Sequence, residues 1–312
     1  MIPASELRGA HRSRARLALL APRHWPTWLG VGVLRASLSL PLAARLWFGA
    51  RLGDLYYAAN AKRRRIAAIN IALCFPALDA GERARLVRGH FRRAAQAIFY
   101  IALFWWGSER ALDRVLTVRG LEHYERARAA GQPVITLHGH VLALEASLVL
   151  SRYFPHVGFM KPLKNPVLDH VMTRGRERFG GRVFARAGGL KPLIRALKAG
   201  FGASYIPDED LGPKDSVFAP FFGIPAATLP TLGRLARLTN AVVLPCFARL
   251  CADGRCELWL EPPMPSFPTA GAETDAAAMN AVLERAVRTM PEQYLWTMKR
   301  FKTREDGAAL YE

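Results

Sequence analysis

Acidic residues are scarce in this 312-residue chain, where 25 Asp and Glu stand against 44 Lys and Arg and leave a formal net charge of +19. Such a surplus attracts anions: nucleic acid, an anionic membrane face, a phosphorylated substrate or an acidic protein. The sequence has no zinc-finger spacing, no aromatic RNA-binding signature and no basic region that leads into heptads. We therefore expect no nucleic-acid partner. The apolar content of 51% excludes a disordered tail.

Cysteine is also rare, with four residues in the whole chain and no CxxC pair among them. Cys246 and Cys251 flank a predicted strand, and Cys256 begins the strand after the turn "ADGR". We expect buried thiols on a hairpin rather than the disulfide framework of a small secreted protein. This usage favours a protein that faces the cytosol.

The chain lacks an uninterrupted membrane span. Residues 25–48 exceed the roughly 20 residues that cross a bilayer, but Arg35 lies at their centre and costs about 2.5–3.5 kcal/mol on insertion scales. We predict that residues 1–52 form an uncleaved anchor or a shallow interfacial helix, with Trp25, Trp28 and Trp47 at headgroup depth. Basic residues lie on both sides and indicate no orientation: Arg8, Arg12, Arg14, Arg16 and Arg23 before the stretch, Arg45 near its end, and Arg51 and residues 62–65 after it.

Two kinds of sequence pattern follow this stretch. Residues 53–115 show helical spacing, and the apolar run 97–106 within them fits either the core or a membrane face. From Leu116 onward, short β-rich runs alternate with helical stretches. This alternation predicts an α/β fold with a mainly parallel central sheet flanked by helices, closed by a hairpin at an antiparallel edge. We expect residues 116–312 to be catalytic and 53–312 to form one domain.

Two histidines and a carboxylate follow one predicted strand, in "VITLHGHVLALE" (134–145). Catalytic groups gather at the carboxyl ends of strands in open α/β sheets. Their spacing puts His140 and Glu145 about 140° apart on an ideal helix, so they can meet only if His140 lies in the turn before it. A histidine held by a carboxylate is a general base. Spacing alone leaves two alternatives: a metal site of His138, His140 and Glu145, or histidines in ordinary hydrogen bonds.

Six blocks in series resemble the late acyltransferases of lipid A biosynthesis, the lauroyl/myristoyl transferases, a bacterial branch of the lysophospholipid acyltransferase superfamily. One block would be weak, but six in the right order and spacing cover nearly the whole chain. The blocks are "PRHWPTWLGVGVL", "NIALCFP", "HGHVLALE", "NPVLDHVMTRGR", "YIPDEDLGPKDSVFAPFFG" and "PEQYLWTMKRFKTR".

The resemblance implies a set of site residues. Its H-x4-D/E catalytic motif falls on His140 and Glu145, with His138 outside the motif. Substrate-binding positions follow from three other blocks: Arg176 in "RGR", Asp208 and Asp210 in "PDEDLGP", and Arg300 with Lys302 and Arg304 near the end, where they would meet phosphate.

The resemblance also implies a reaction, in which a fatty acyl chain passes from acyl-acyl carrier protein to a hydroxyl of a lipid A precursor such as Kdo2-lipid IV(A). His140 would deprotonate the hydroxyl and Glu145 would hold the imidazole, with a backbone N–H near Gly139 or the Arg176 guanidinium facing the oxyanion. The transfer would be direct, without an acyl-enzyme, a metal or a nucleotide cofactor.

The partners implied are the acidic carrier protein, a phosphorylated glycolipid acceptor and the membrane, at the cytoplasmic face of the bacterial inner membrane. Composition alone suggests that the runs 97–106 and 217–223 line the acyl groove. Another membrane lipid as acceptor stays open, as does a metal-dependent hydrolase.

Overall fold

The structure is a computed structural model that describes residues 16–186 and 189–312. Residues 1–15, with Arg8, Arg12 and Arg14 of the expected basic stretch, lie outside the described residues. The α-helices are α1 Trp25–Ala36, α2 Leu42–Ala59, α3 Ala61–Cys74, α4 Ala80–Trp106, α5 Glu109–Val115, α6 Leu121–Ala129, α7 Pro166–Arg176, α8 Lys191–Lys198, α9 Thr231–Thr239 and α10 Ala272–Thr289. The strands are β1 Leu116–Arg119, β2 Val134–Leu137, β3 His156–Met160, β4 Arg182–Ala185, β5 Gly202–Tyr205, β6 Val217–Phe221, β7 Ile224–Thr228, β8 Val242–Leu250 and β9 Cys256–Leu260.

The central sheet has seven strands in the order β1-β9-β8-β2-β5-β3-β4. Strands β8, β2, β5, β3 and β4 are mutually parallel, which confirms the predicted α/β fold. The β8–β9 pair is antiparallel as expected, but the prediction that it closes the sheet at an edge is wrong. β1 pairs in parallel with β9 and is itself the edge strand. This pairing joins segments far apart in the chain, so local patterns could not indicate it.

A separate two-stranded sheet, β6–β7, was not predicted. Its connection is Phe222-Gly223, and both residues have positive φ angles, 54° and 76°. A two-residue hairpin turn of type I′ has positive φ at both central positions and usually has the sequence Asn-Gly or Asp-Gly. Phenylalanine is rare in this conformation, so the sequence carries no ordinary turn signal here.

Helices α2 and α4 pack closely because α2 presents glycines at the crossing. A Cβ atom on Gly53 would lie 2.6 Å from the Cα of Arg92, and one on Gly49 would lie 2.9 Å from the Cα of Gln96. The amino end of α4 is closed by reciprocal bonds between Asp79 and Glu82. Its apolar end, the run 97–106, is part of the core, since five of its ten residues are buried: Ala97, Tyr100, Ala102, Leu103 and Phe104.

The N-terminal apolar stretch folds as two helices rather than one. α1 ends at Ala36, a 3-10 turn covers 37–39, and Pro41 precedes α2. In the described part of the chain, no helix is both long enough and apolar enough to span a membrane. Several large apolar side chains on α1 and α2 are nevertheless exposed to solvent: Trp25, Leu29, Val33, Trp47, Phe48, Leu52 and Leu55.

Candidate active site

Two loops meet at the carboxyl edge of the central sheet. β2 and β5 are adjacent and parallel, with Leu137 opposite Tyr205. His140 follows the end of β2 at the same distance along the chain as Asp208 follows the end of β5. Equal offsets from paired strand ends bring the two side chains together.

Asp208 holds His140 at two points. Nδ1 of His140 lies 2.6 Å from Oδ1 of Asp208, and the backbone N–H of His140 donates to Oδ2 at 2.8 Å. A Cβ on Gly139 would lie 2.9 Å from Cδ2 of Leu283, so glycine lets the loop pack against the core here. Asp208 is fully buried, whereas the His140 side chain is 27% exposed and lines a cavity. The Nε2 side of the ring is therefore the side available to a substrate.

The pair favours the charged forms of both groups. Burial lowers the pKa of His140, but the adjacent Asp208 carboxylate outweighs burial and raises that pKa above 6.5. Burial raises the pKa of Asp208, but the charge and hydrogen bonds of His140 lower it on balance. A carboxylate in this position fixes the imidazole tautomer and stabilises the imidazolium.

Glu145 makes no hydrogen bond to the imidazole, so the expected His140–Glu145 pairing is wrong. Its Oε1 accepts hydrogen bonds from Nε of Arg176 at 2.9 Å and also from Nη2 of Arg176. Its Oε2 accepts from the indole N–H of Trp105 at 3.0 Å. Residues 144–152 form a 3-10 helix instead of the expected α-helix, so the angular argument from ideal α-helical spacing does not apply.

Gly175, on α7, provides the space in which the Trp105 indole packs beside Arg176. A Cβ on Gly175 would lie 2.4 Å from the Trp105 ring, so only glycine lets the indole pack here and reach Glu145. This contact explains the central residue of the "RGR" block. Glu145 and the partly exposed Arg176 line the same cavity as His140. The cavity therefore carries a base held by one carboxylate and a cation held by another.

His138 belongs to a buried polar cluster in the wall of this cavity. Its Nε2 lies 2.8 Å from Oγ1 of Thr136, and His156 Nε2 lies 2.9 Å from Oγ of Ser204. Burial lowers the pKa of His138 to about 4 and that of His156 to about 3, so both are neutral at physiological pH. Within residues 16–186 and 189–312, no group of His, Cys, Asp and Glu has an arrangement that could hold a metal ion. The metal-site interpretation of His138, His140 and Glu145 therefore has no support in the fold.

Three expected substrate-binding residues are engaged inside the protein instead, and the first is Asp208, which is fully buried and bonded to His140. Arg300 is fully buried and donates to Ala227 O at 2.7 Å and to Thr228 Oγ1 and Asn280 Oδ1 at 3.2 Å. The expectation that Arg300 meets substrate phosphate is therefore wrong. The Asp210 carboxylate is also occupied, by bonds within the chain that are described below.

The cavity measures about 1260 Å³ and combines apolar walls with cations. No residue of 97–106 or 217–223 is among the described lining residues, so the expectation that these runs line the cavity is wrong. Apolar lining residues come from the 3-10 helix, α7 and the strands beside them, and include Leu144, Leu148, Val157, Phe159, Met172 and Val183. Four lining arginines have carboxylate partners: Arg176, Arg182, Arg186 and Arg237. Among the described lining residues, Lys161 and Arg234 are cations with no such partner.

This combination defines an α/β enzyme whose imidazole base faces a cavity suited to a substrate with both apolar and anionic parts. The sequence profile described as "Bacterial lipid A biosynthesis acyltransferase" matches residues 13–303. The chain belongs to this family and is an acyltransferase of bacterial lipid A biosynthesis.

The similarity to curated relatives extends over nearly full length. The chain is 37% identical to the lipid A biosynthesis lauroyltransferase of Escherichia coli, over 93% of this chain and 95% of the relative. It is 38% identical to the myristoyltransferase of the same organism, over 92% and 90% of the two chains. A lipid A biosynthesis acyltransferase of Haemophilus influenzae is 35% identical, over 94% and 92%.

Sequence reasoning placed His140, Glu145, Arg176 and Asp208 at one site, and the fold brings all four to one region. It missed Trp105, which looked like an ordinary core aromatic, and also Lys161 and Arg234, which have no carboxylate partner in the described part of the chain. It also assigned the wrong carboxylate to the histidine. Asp208 lies 68 residues beyond His140, and only strand order could bring it there.

Proposed function

We propose that this acyltransferase moves a fatty acyl chain from acyl-acyl carrier protein to a hydroxyl of a phosphorylated lipid A precursor of the Kdo2-lipid IV(A) kind. His140 acts as the general base. The observation that carries the proposal is the tie between His140 Nδ1 and the buried Asp208 carboxylate. In the neutral imidazole, this hydrogen bond keeps the proton on Nδ1 and leaves Nε2, on the cavity side, as the nitrogen that can accept a proton.

The acceptor hydroxyl attacks the thioester carbonyl while Nε2 removes its proton, which forms a tetrahedral oxyanion. General-base assistance of this kind contributes about 10²–10⁴-fold. Collapse of the intermediate breaks the carbon–sulfur bond, and the imidazolium returns its proton to the thiolate of the carrier. The acyl chain leaves as an ester, so no acyl-enzyme, metal or redox step is needed.

Arg176 is the proposed oxyanion stabiliser, and Glu145 positions it. Glu145 receives Nε and Nη2, and Trp105 restrains the other carboxylate oxygen. Arg176 therefore reaches the cavity as a cation in a fixed direction, and fixed donors are more effective at the point where charge develops. Glu145 acts through Arg176 rather than through the histidine.

Lys161 and Arg234 are the proposed contacts for the acceptor phosphates. Neither forms an ion pair with a carboxylate in residues 16–186 and 189–312, so both can pair with an anion in the cavity. The net charge of +19 would also draw the acidic carrier protein and an anionic membrane surface. The exposed apolar side chains of α1 and α2 would rest on that surface, at the cytoplasmic face of the inner membrane.

The test is a transfer assay in detergent that offers several acyl-carrier proteins and Kdo2-lipid IV(A), with products read by mass. We expect a gain of one acyl chain with the wild type and no gain with His140→Ala. Product from His140→Ala at the wild-type rate would refute the general-base role. If the wild type acylates only other membrane lipids, the acceptor assignment is wrong and the chemistry stands.

A further inference from the structure

The C-terminal segment Gln293–Thr303 contacts both loops that carry the His140–Asp208 pair. At its start, Leu142 N–H donates to Gln293 O at 2.8 Å and Leu295 N–H donates to His140 O at 2.8 Å. These bonds pair the segment with the His140 loop in antiparallel fashion, and Val141 lies opposite Tyr294. The base therefore sits on a loop whose outer side is bonded to residues more than 150 positions away.

At its end, the same segment is bonded to the Asp208 loop. The Asp210 carboxylate accepts from the Thr303 backbone N–H at 2.6 Å and from the Thr303 hydroxyl at 2.7 Å. It also accepts from Gly212 N–H at 3.0 Å. Asp210 is buried and separated from Asp208 by one residue, so a shift at Thr303 would be passed directly to the carboxylate that holds His140.

Between these contacts the segment is fixed in the core. Arg300 is fully buried, and its guanidinium bonds to β7 and α10. Asn70 of α3 donates from Nδ2 to the carbonyl oxygens of Trp296 and Met298, both at 2.7 Å. Because these bonds fix the middle of the segment in the core, its two ends hold the His140 loop and the Asp208 loop independently of each other.

We propose that Gln293–Thr303 is a brace that sets the separation of His140 and Asp208, and that Asp210 and Thr303 are its positioning residues. The inference rests on the proposed role of His140 as the base. Asp210, which the family pattern suggested for substrate, acts here through Asp208. Misplacement of a reacting group by about 1 Å can cost roughly a hundredfold in rate, so a loosened brace reduces turnover without removing any group that touches substrate.

The experiment compares Thr303→Val with Thr303→Ser in full-length enzyme. Valine keeps the volume and removes the hydroxyl, whereas serine restores it. We expect Thr303→Val to lower kcat about ten- to a hundredfold, with KM for both substrates within about twofold. The acid limb of the pH profile should move to lower pH, because a looser Asp208 no longer raises the pKa of His140. Thr303→Ser should restore both.

Thr239→Val is the matched control, since it removes a buried hydroxyl bond to Leu235 O at 2.8 Å. Thr239 ends α9 at the opposite edge of the sheet, just before β8 begins. We expect it to lower the melting temperature and leave the pH profile unchanged. If Thr303→Val behaves in the same way, the brace is only structural and the proposal is wrong. If Thr303→Val does not fold, Asp210→Asn in its place must show the same shift in the pH profile.

His140→Ala separates the two proposals. An active His140→Ala enzyme would overturn the proposed base and the brace with it. An inactive His140→Ala enzyme beside a Thr303→Val enzyme with wild-type kcat and pH profile would overturn the brace alone.

Discussion

Replacement of Asp208 by asparagine tests which carboxylate supports His140. The H-x4-E pattern suggests Glu145, whereas the structure places Asp208 against the imidazole. Asp208 lies 2.6 Å from Nδ1 of His140 and also accepts the backbone N–H of His140 at 2.8 Å. Asparagine has one oxygen for these two donors. If its oxygen keeps the backbone N–H, its amide faces Nδ1 and forces the imidazole proton to Nε2. The base would then present a proton where it should accept one.

The magnitude follows from the bond that is lost. A hydrogen bond to a charged group contributes about 1.5–3 kcal/mol, which corresponds to roughly 10–150-fold. The wrong tautomer adds to this loss, because general-base help of about 10²–10⁴-fold becomes unavailable. We expect kcat/KM to fall by about 10²–10⁴-fold in Asp208→Asn. In the residual activity, the acid limb should move to lower pH, because Asp208 no longer offsets the effect of burial, which lowers the pKa of His140.

The assay is single-turnover acyl transfer in detergent over a range of pH, with Glu145→Gln as the comparison variant. Glu145→Gln weakens the support of Arg176 and leaves the Asp208–His140 bonds in place. It should lower the rate without moving the acid limb. The opposite pattern, a moved limb in Glu145→Gln and an unmoved one in Asp208→Asn, would refute this assignment of partners.

Three further predictions concern the cavity and its surroundings. Gly175→Ala places a methyl group 2.4 Å from the Trp105 ring, so we expect the indole to leave Glu145 and the transfer rate to fall at least tenfold. Added acrylamide should then quench tryptophan emission more strongly. An unchanged rate would contradict the role of Glu145 and Trp105 in supporting Arg176. Arg234→Ala and Lys161→Ala should each raise KM for the acceptor about tenfold, consistent with loss of one exposed charge-assisted bond, and a dephosphorylated acceptor should abolish the difference. Leu29→Glu should lower binding to anionic vesicles in a flotation assay and leave activity in detergent unchanged, because Leu29 is 70% exposed on α1; equal binding would argue against α1 as a membrane contact.

The parts of the fold that sequence could predict are those governed by local pattern. β2 is an apolar run between polar turns and is wholly buried. α4 begins at a capping box and continues with apolar residues at helical spacing. The β8–β9 hairpin turns where Asp253 and Gly254 stand in the sequence. In each case the signal and the structure lie within a few residues of one another.

The parts that could not be predicted depend on contacts between distant segments. The position of β1 beside β9 and that of Asp208 beside His140 both follow from strand order. The burial of Arg300 follows from partners on β7 and α10. Arginine near a C-terminus is usually solvated, and nothing in its neighbours within the chain distinguishes a buried guanidinium from an exposed one.

The 3-10 geometry of residues 144–152 gives the H-x4-E spacing a different physical meaning. With three residues per turn, positions 145, 148 and 151 lie on one face, and Glu145, Leu148 and Ser151 all line the cavity. In an α-helix, Ser151 would be rotated about 120° from Glu145 and this wall would be lost. The backbone of the preceding loop is bonded to the C-terminal segment through Leu142, and the helix begins two residues later at Leu144. The motif therefore places two functional side chains on one cavity, the base His140 with its partner Asp208 and the carboxylate Glu145 with its partner Arg176. It does so without a hydrogen bond between His140 and Glu145.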